Sequence, residues 1–245
     1  RARAWLVTMD ATPPTRPRNR RTTLLALLLG LAFALRLTHA AAPGPLTFER
    51  QPAAQFAFDG FTGERIARTV DHWLLPMPDA NPGVIEMFSL RDRQPVPDLV
   101  PWAGEFVGKY LISAIQTLRL SPRPELSNQV ARVVGQLIAG QAEDGYLGPF
   151  RQKDRLRGNW DLWGHYHVIE ALLLWYEATA DTAALTCARR MGDLICATYL
   201  DTGHRALEAG SEEMNLAIIH GLGQLHRATG EERYYEFTFP SPDGL

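Results

Sequence analysis

The sequence of 245 residues contains little lysine and little cysteine. Its two lysines are Lys109 and Lys153, and beyond residue 42 the chain carries 18 basic and 26 acidic groups, a net charge of −8. An acidic body without a basic stripe has nothing to bind a phosphate backbone, so nucleic acid is not a predicted partner. The sequence also lacks any sustained alternation of apolar and polar residues, so no β-sheet is predicted.

The two cysteines, Cys187 and Cys196, fall in one predicted helix. Their spacing separates them by about 13 Å along the helix axis and by about 180° around it. A disulfide cannot span that distance, and one metal ion cannot take both thiolates as ligands. The sequence therefore predicts two free thiols.

Residues 1–42 have the pattern of a secretory signal peptide. Three arginines between positions 18 and 21 precede an apolar run over residues 24–35, and small residues follow at 40–42. A positive head, an apolar core and an A-x-A-like site are typical of such signals. The run is too short to cross a bilayer as a helix, so no stable membrane span is predicted after signal removal. We expect a periplasmic or secreted protein.

The rest of the chain predicts helices of two alternating kinds. Residues 43–101 form a proline-rich lead-in with one predicted helix, Gly63–Leu75. Residues 102–245 predict αα-hairpins, in which the first helix is apolar nearly all round and the second is amphipathic. The apolar helices are predicted at 102–120, 159–179 and 212–229, and the amphipathic ones at 124–141, at 181–200 and from 231.

The helix pairs repeat in sequence. A shift of 57 residues aligns Arg132 with Arg189, and a shift of 50 aligns Thr179 with Thr229. Such periods, with two helices each, are typical of stacked αα-hairpins. Apolar inner helices shielded by amphipathic outer ones indicate an all-α toroid, whose closure takes about twelve helices. Since six or seven are predicted, the expected fold is an incomplete (α/α)6 barrel with about half of the ring present.

Polar and aromatic residues cluster at the predicted N-terminal ends of the inner helices, which gather at one rim of a toroid. Indole rings cover the apolar face of a sugar, while carboxylate, amide and imidazole groups bind its hydroxyls. The sequence therefore predicts a carbohydrate site. Its candidate residues are Glu105, Trp160, Asp161, Trp163, His165, His167, Glu213 and Asn215, with Asp144 and Tyr146 from the turn that enters the second inner helix.

Each candidate also has a structural interpretation. A tryptophan can simply pack in the core, and Asp144 and Tyr146 can serve the turn alone. His165 and His167 lie about 200° apart on one helix, so one cavity cannot receive both. His165 follows Asp161 by four residues, a spacing at which a carboxylate can orient an imidazole.

Four segments stand out by their order and spacing: Gly104–Lys109, Gln141–Leu147, Trp163–Ala171 with Tyr176–Thr179, and Leu225–Tyr234. Together they resemble the β-L-arabinofuranosidase-type enzymes of glycoside hydrolase family 127, over about residues 55–237. The resemblance implies an (α/α)6-barrel catalytic domain that acts on arabinose-containing plant-type glycans. It also implies a retaining mechanism with a zinc-bound cysteine thiolate as nucleophile and a glutamate as general acid/base.

The resemblance can be transferred residue by residue. The family's Gly-His-x-Ile-Glu-Ala segment supplies a histidine that contacts the bound sugar, and it matches His167, with Tyr166 in place of the glycine. A second sugar-contacting histidine of the family matches Ser211, ahead of Glu212 and Glu213, so we expect an altered sugar contact there.

The catalytic machinery of the family matches nothing in this chain. The zinc ligands, the nucleophile and the acid/base glutamate belong to later segments, and Cys187 and Cys196 match none of them. The resemblance thus implies a glycosidase fragment that is inactive alone. It also implies that this chain has no metal site and no bound cofactor, with zinc expected only in the full-length enzyme.

Two other functions remain compatible with the sequence. One is a non-catalytic helical-repeat protein that binds glycans or protein partners on its concave surface. The other is a different toroid enzyme, such as a lyase, an unsaturated-uronyl hydrolase or an isoprenoid cyclase, because fold alone does not determine chemistry. In every case an open half-ring leaves apolar surface uncovered, so we expect residues 43–245 to oligomerise or aggregate.

Overall fold

The computed structural model describes residues 51, 54–95 and 97–238. Every regular element within these residues is a helix, as the sequence predicts. None of the described helices has the length and apolar character that a membrane span requires. The predicted signal segment, residues 1–42, lies outside the described part of the chain.

Ten α-helices are described in chain order. A π-helical turn, Val70–Leu74, continues the first of them, and short 3₁₀ turns lie at Gln152–Asp154 and Ala206–Glu208. The helices are α1 (Gly60–Thr69), α2 (Met77–Ala80), α3 (Gly83–Leu90), α4 (Glu105–Leu118), α5 (Pro124–Ala139), α6 (Asp161–Thr179), α7 (Thr182–Tyr199), α8 (Glu212–Asn215), α9 (Ile218–Thr229) and α10 (Glu232–Thr238).

The lead-in contains more helix than the single one predicted from the sequence. Beyond α1 and its π-helical turn, both α2 and α3 lie before residue 91. Pro76 occupies the N-cap of α2, and Pro82 occupies the N-cap of α3. Proline is tolerated at a helix start because its φ suits the helix and its missing N–H would have no helical partner there. These prolines therefore begin new helices as well as ending the first.

The hairpins α4–α5 and α6–α7 occupy the predicted segments, shortened by one to three residues at most ends. The third inner segment was predicted as one continuous helix, which is wrong. It divides into α8 and α9, and around the break the amides of Ala217 and Ile219 bond to the carbonyls of Met214 and Leu216, three residues earlier. These tighter bonds interrupt the α-helix between its two parts.

The turn of the second hairpin is repeated in the third. The hydroxyl of Thr179 accepts a hydrogen bond from the Asp181 amide at 3.3 Å, and Thr229 accepts one from Glu231 at 3.2 Å. Each helix ends in a left-handed residue, Ala180 in one turn and Gly230 in the other. The 50-residue sequence repeat thus corresponds to a repeated turn structure.

Helix α6 lies at the centre of the structure. It packs against α4 on one side and α9 on the other, and α7 lies behind it. Thirteen of its 19 residues are buried, compared with seven of 14 in α4 and five of 12 in α9. The prediction that every inner helix is apolar all round therefore holds for α6 alone, because α6 has helical neighbours on both sides.

Two glycines allow α4 and α6 to pack closely. A Cβ added to Gly108 would lie 2.6 Å from the backbone carbonyl carbon of His167. A Cβ added to Gly164 would lie 3.2 Å from the backbone of Gly104. The distance at Gly108 is too short for a side chain unless the helices shift, and the one at Gly164 is tighter than ordinary contact, so the close packing depends above all on Gly108.

Candidate functional site

The N-terminal ends of the inner helices meet at one place. Glu105 begins α4, Trp163 lies in the first turn of α6, and Asn215 ends α8. The indole Nε1 of Trp163 donates a hydrogen bond to the Glu105 carboxylate. The backbone amide of Trp163 donates to the side-chain oxygen of Asn215 at 3.1 Å. Trp163 therefore connects two of the predicted site residues, which come from different helix pairs.

Lys109 belongs to the same group, although it is not among the candidate residues predicted from the sequence. Its ammonium forms an ion pair with Glu105 at 2.9 Å and lies 5.2 Å from the centre of the Trp163 ring. The signal for it was present in the sequence, because Lys109 follows Glu105 by four residues on a helix, the spacing at which opposite charges pair.

His167 packs beside these residues within an aromatic cluster. Its ring lies edge-on to Trp163 at 4.4 Å between ring centres and lies 4.7 Å from Tyr166. The side chain is buried, and neither ring nitrogen has a hydrogen-bond partner. We call Glu105, Lys109, Trp163, Tyr166 and His167 the indole cluster.

Burial is the main reason why the pKa of His167 falls to about 4. The positive charge of Lys109 lowers the pKa further, and the negative charge of Glu105 opposes that effect. The imidazole is therefore neutral at neutral pH. A neutral imidazole has one donor and one acceptor nitrogen, which is the pair of functions that a sugar hydroxyl can use.

A second pair of indoles lies near the starts of the inner helices. Trp160 immediately precedes α6, and its ring centre lies 5.5 Å from that of Trp102. The Trp160 amide donates to the carbonyl of Pro101 at 3.0 Å. Trp102 and Phe106 lie close to Glu105 in the sequence, and each is 39% exposed. They place flat apolar side chains at the surface near the start of α4.

Asp161, Tyr146 and His165 form a separate buried network. The Tyr146 hydroxyl donates to the Asp161 carboxylate at 3.0 Å, and the Leu156 amide donates to it at 2.7 Å. His165 Nδ1 hydrogen-bonds with the backbone carbonyl of Asp161 at 2.9 Å and lies 3.3 Å from its carboxylate oxygen Oδ1, so the two residues meet at the predicted spacing. Asp161 and His165 are each 1% exposed. These side chains hold the segment between the first and second hairpins against α6.

Tyr146 is a candidate residue of the predicted carbohydrate site, but the structure places it inside this buried network. Its side chain is fully buried, and its hydroxyl also accepts a hydrogen bond from the Phe150 amide at 3.1 Å. Burial, followed by the negative charge of Asp161, raises the pKa of Tyr146 well above its ordinary value. The buried Asp161 carboxylate has lost its hydration, so its charge is stabilised by hydrogen-bond donors such as the Tyr146 hydroxyl. This hydrogen bond holds the phenol inside the protein.

The remaining candidates have mainly structural contacts. Asp144 is exposed, pairs with Arg155 at 2.8 Å and accepts the Tyr146 amide, which is the turn chemistry named as its alternative. Asn215 is fully buried, and its amide nitrogen donates to the carbonyls of Asn159 and Ala209. Glu213 is exposed on α8.

These observations can be compared with known proteins. A family model described as the GH127 catalytic domain of β-L-arabinofuranosidases matches residues 64–238. The chain belongs to this family. The resemblance noted in the sequence is therefore confirmed, and the all-helical architecture agrees with the α/α-barrel expectation for a GH127 protein.

Individual relatives agree with the family assignment. A non-reducing end β-L-arabinofuranosidase of Bifidobacterium longum is 31% identical over 140 residues, which cover 52% of this chain and 21% of that protein. The structure of Ara127N, a GH127 β-L-arabinofuranosidase from Geobacillus stearothermophilus T6, is 24% identical with a TM-score of 0.57. The GH127 β-arabinofuranosidase BT3674 is 18% identical with a TM-score of 0.60.

The similarity covers only part of each relative. Both structural alignments include 74% of this GH127 chain and 31% of the other chain, and at these identities they establish a shared fold. The chain thus spans 21% of the curated relative and less than a third of the solved structures that it matches.

The zinc-bound thiolate implied by the family does not fit the cysteines of this chain. Cys187 and Cys196 are both buried in α7, and burial raises the pKa of each thiol to about 12. Among the described residues, no three His, Cys, Asp or Glu side chains are grouped as metal ligands would be. We therefore assign neither thiol to a zinc site or to a nucleophilic role.

Proposed function

We propose that this GH127 chain forms part of a glycoside hydrolase that acts on arabinose-containing plant-type glycans. In this proposal α4, α6 and α9 line the inside of an (α/α)6 barrel, of which the described helices make up about half. The observation that carries the proposal is the match of the GH127 catalytic domain to residues 64–238. The indole cluster is the sugar-binding part of the site.

The chemistry of the indole cluster supports a sugar ligand. The hydrogen bond to Glu105 holds the Trp163 ring in a defined orientation, with the Lys109 ammonium over the ring. His167 is neutral and both of its buried ring nitrogens lack a partner, so an uncovered His167 offers a hydroxyl one donor and one acceptor. Aromatic faces beside a few convergent polar groups are typical of carbohydrate sites.

We further propose that the described residues bind the sugar without cleaving it. A retaining glycosidase needs two catalytic groups about 5 Å apart across the scissile bond. The buried thiols of Cys187 and Cys196 are unsuited to act as nucleophile because their raised pKa values disfavour the thiolate. In this proposal the nucleophile, the acid/base and the zinc ligands come from outside the described residues. A purely glycan-binding function is the second candidate, because neither thiol is suited to act as a nucleophile.

Ligand-observed NMR and tryptophan fluorescence with methyl β-L-arabinofuranoside test the binding proposal. We expect the Trp163→Ala variant to lose binding. Trp73→Ala is the matched control, because Trp73 is 47% exposed on the π-helical turn and lies outside the cluster. Equal binding by the wild type and Trp163→Ala would contradict the proposed site. Steady release of product from an aryl arabinofuranoside would contradict the proposal that the chain is inactive alone.

We also propose that the N-terminal residues direct export to the periplasm or the outside of the cell. The arginines before residue 22 and the apolar run over 24–35 support this proposal. Fusion of residues 1–46 to alkaline phosphatase should give an active exported reporter. Leu28→Arg should abolish export by placing a charge in the apolar run, whereas Thr22→Arg should not. Export that survives Leu28→Arg would contradict the proposal.

A further inference from the structure

His167 has unsatisfied hydrogen-bonding groups that are closed off from solvent. Both of its ring nitrogens are buried, and neither has a partner. A buried polar atom without a partner is costly, so such atoms indicate either strain or a ligand that the arrangement is made to receive. In the described arrangement a sugar hydroxyl cannot reach either nitrogen.

Two rings cover the imidazole, and they differ in how they are held. Trp163 is fixed by the hydrogen bond from its Nε1 to Glu105 and by the ammonium of Lys109 over its ring. Tyr166 packs through its ring against Trp163 at 5.7 Å and against His167 at 4.7 Å. Moving Trp163 would break a hydrogen bond to a carboxylate, whereas moving Tyr166 would break ring contacts.

Tyr166 packs against α9 on its other side. A glycine, Gly221, faces it there, and a Cβ added to Gly221 would lie 3.4 Å from the Tyr166 ring. The next ring on that side is His220, which is exposed and lies 5.6 Å from Tyr166 between ring centres. A half-buried ring beside a glycine and an exposed side chain can rotate at lower cost than one enclosed by the core.

We propose that Tyr166 is a specificity-determining residue, which controls access to His167. Its ring rotates away from His167 to admit the ligand and returns to exclude water. The phenol ring and a pentose ring are similar in size, so the displacement admits one terminal sugar ring next to His167 and Trp163. This inference rests on the proposed function of the indole cluster.

Chemical modification of histidine by diethyl pyrocarbonate measures access to His167 without requiring a sugar. The full chain and its variants are treated briefly, and the modified positions are assigned by peptide fragmentation. His165, two residues away on α6 and 1% exposed, reports any local unfolding of the helix. The exposed His204 gives the rate for an uncovered histidine.

Three variants separate the role of the ring from general effects on folding. Tyr166→Ala and Tyr166→Leu remove the aromatic cover, and leucine retains apolar packing if alanine unfolds the helix. Tyr176→Ala is the matched control because Tyr176 is another half-buried tyrosine on α6. We expect the His167 rate relative to the His165 rate to rise about tenfold in the first two variants and to stay unchanged in the control.

Repeating the modification in the presence of a sugar distinguishes this inference from the proposed function. Methyl β-L-arabinofuranoside should slow modification of the uncovered His167 in Tyr166→Leu. If His167 is uncovered but the sugar gives no protection, the sugar site is contradicted and the gating role of Tyr166 stands. If the ratio of His167 to His165 modification is unchanged in both Tyr166 variants, the gating role is overturned whatever the sugar does.

Discussion

The indole nitrogen of Trp163 on α6 donates a hydrogen bond to the carboxylate of Glu105 at the start of α4. A carboxylate is favoured at that position because the N-terminal end of a helix carries partial positive charge. The same carboxylate pairs with Lys109. Glu105 therefore links two inner helices and determines how the indole of the proposed sugar site is oriented.

Replacement of Glu105 by alanine should destabilise the protein and loosen Trp163. Loss of a hydrogen bond to a charged group in a buried place costs about 1–3 kcal/mol of unfolding free energy. Urea unfolding followed by tryptophan fluorescence measures this cost. Glu64→Ala is the control, because Glu64 is exposed on α1 and its replacement should change stability by less than about 0.5 kcal/mol. Equal losses in the two variants would argue against the link.

Replacement of Asp161 by alanine should remove the centre of the buried network. The Tyr146 hydroxyl and the Leu156 amide would both lose their acceptor, at a combined cost of at least about 2 kcal/mol. Thermal unfolding checks this prediction. Asp154→Ala provides the comparison, since Asp154 lies in a 3₁₀ turn with its side chain 41% exposed, and its ion pairs should contribute less than about 1 kcal/mol. A stable Asp161→Ala protein would show that the network does not hold the segment before α6.

Two glycine-to-alanine substitutions should have opposite effects. Gly108→Ala places a Cβ 2.6 Å from the backbone of His167, so α4 and α6 must separate, at a cost of about 3 kcal/mol. Gly135→Ala on α5 meets no atom within 4 Å and should stabilise the helix by about 0.5–1 kcal/mol. Calorimetry should give a Tm below that of the wild type for Gly108→Ala and above it for Gly135→Ala. An unchanged Tm in Gly108→Ala would mean that α4 and α6 can repack.

The depressed pKa of His167 should make stability depend on pH. In the unfolded chain the imidazole has its ordinary pKa of 6.5, whereas in the folded protein burial lowers the pKa to about 4. Between these values the unfolded chain binds a proton that the folded protein does not, so stability is present above pH 6.5 and is lost as the pH falls toward about 4.

Histidine NMR titration and urea unfolding across that range measure the effect of His167. The pH slope should diminish in His167→Gln. The pKa of His167 should rise in Lys109→Gln, since the nearby positive charge disfavours a second one. An ordinary pKa for His167 in the folded wild type would contradict the prediction.

Exposed aromatic residues of the lead-in should promote self-association of residues 43–245. Phe56, Phe58, Phe61 and Trp73 are each 46% to 73% exposed, and no residue of α1 is buried. Large exposed apolar patches favour association. Light scattering should find oligomers or aggregates, and Phe58→Ser with Phe61→Ser should reduce them. A monodisperse wild-type monomer would contradict this expectation.

Much of the helical arrangement could be predicted because it depends on local patterns. The alternation of apolar and amphipathic segments predicts the α4–α5 and α6–α7 hairpins, and the 50-residue repeat predicts their similar turns. The division between α8 and α9 was missed because the segment over 212–229 keeps its apolar character across the break. The extra helices of the lead-in do not follow from the sequence pattern, because a proline can end one helix or begin the next and the pattern does not distinguish the two.

The candidate site was predictable in part for the same reason. The helical spacing of Trp163 and His167 places them near each other, and the order of the segments indicates a GH127 protein. The contact between Trp163 and Glu105 joins residues 58 positions apart, and no local pattern contains it. Lys109 and Tyr166 enter the cluster through the same packing of α4, α6 and α9.

The amino-acid order alone establishes that His165 and His167 point to different sides of one helix, because the helical period requires it. Only the packed structure decides what each side faces. The segment carrying Tyr146 covers His165 and draws it into the Asp161 network, while the close approach of α4 at Gly108 brings Glu105 and Lys109 to the side of His167. Periodicity is a property of the local backbone, but the partners of a side chain depend on which distant segments bury their apolar surface against it.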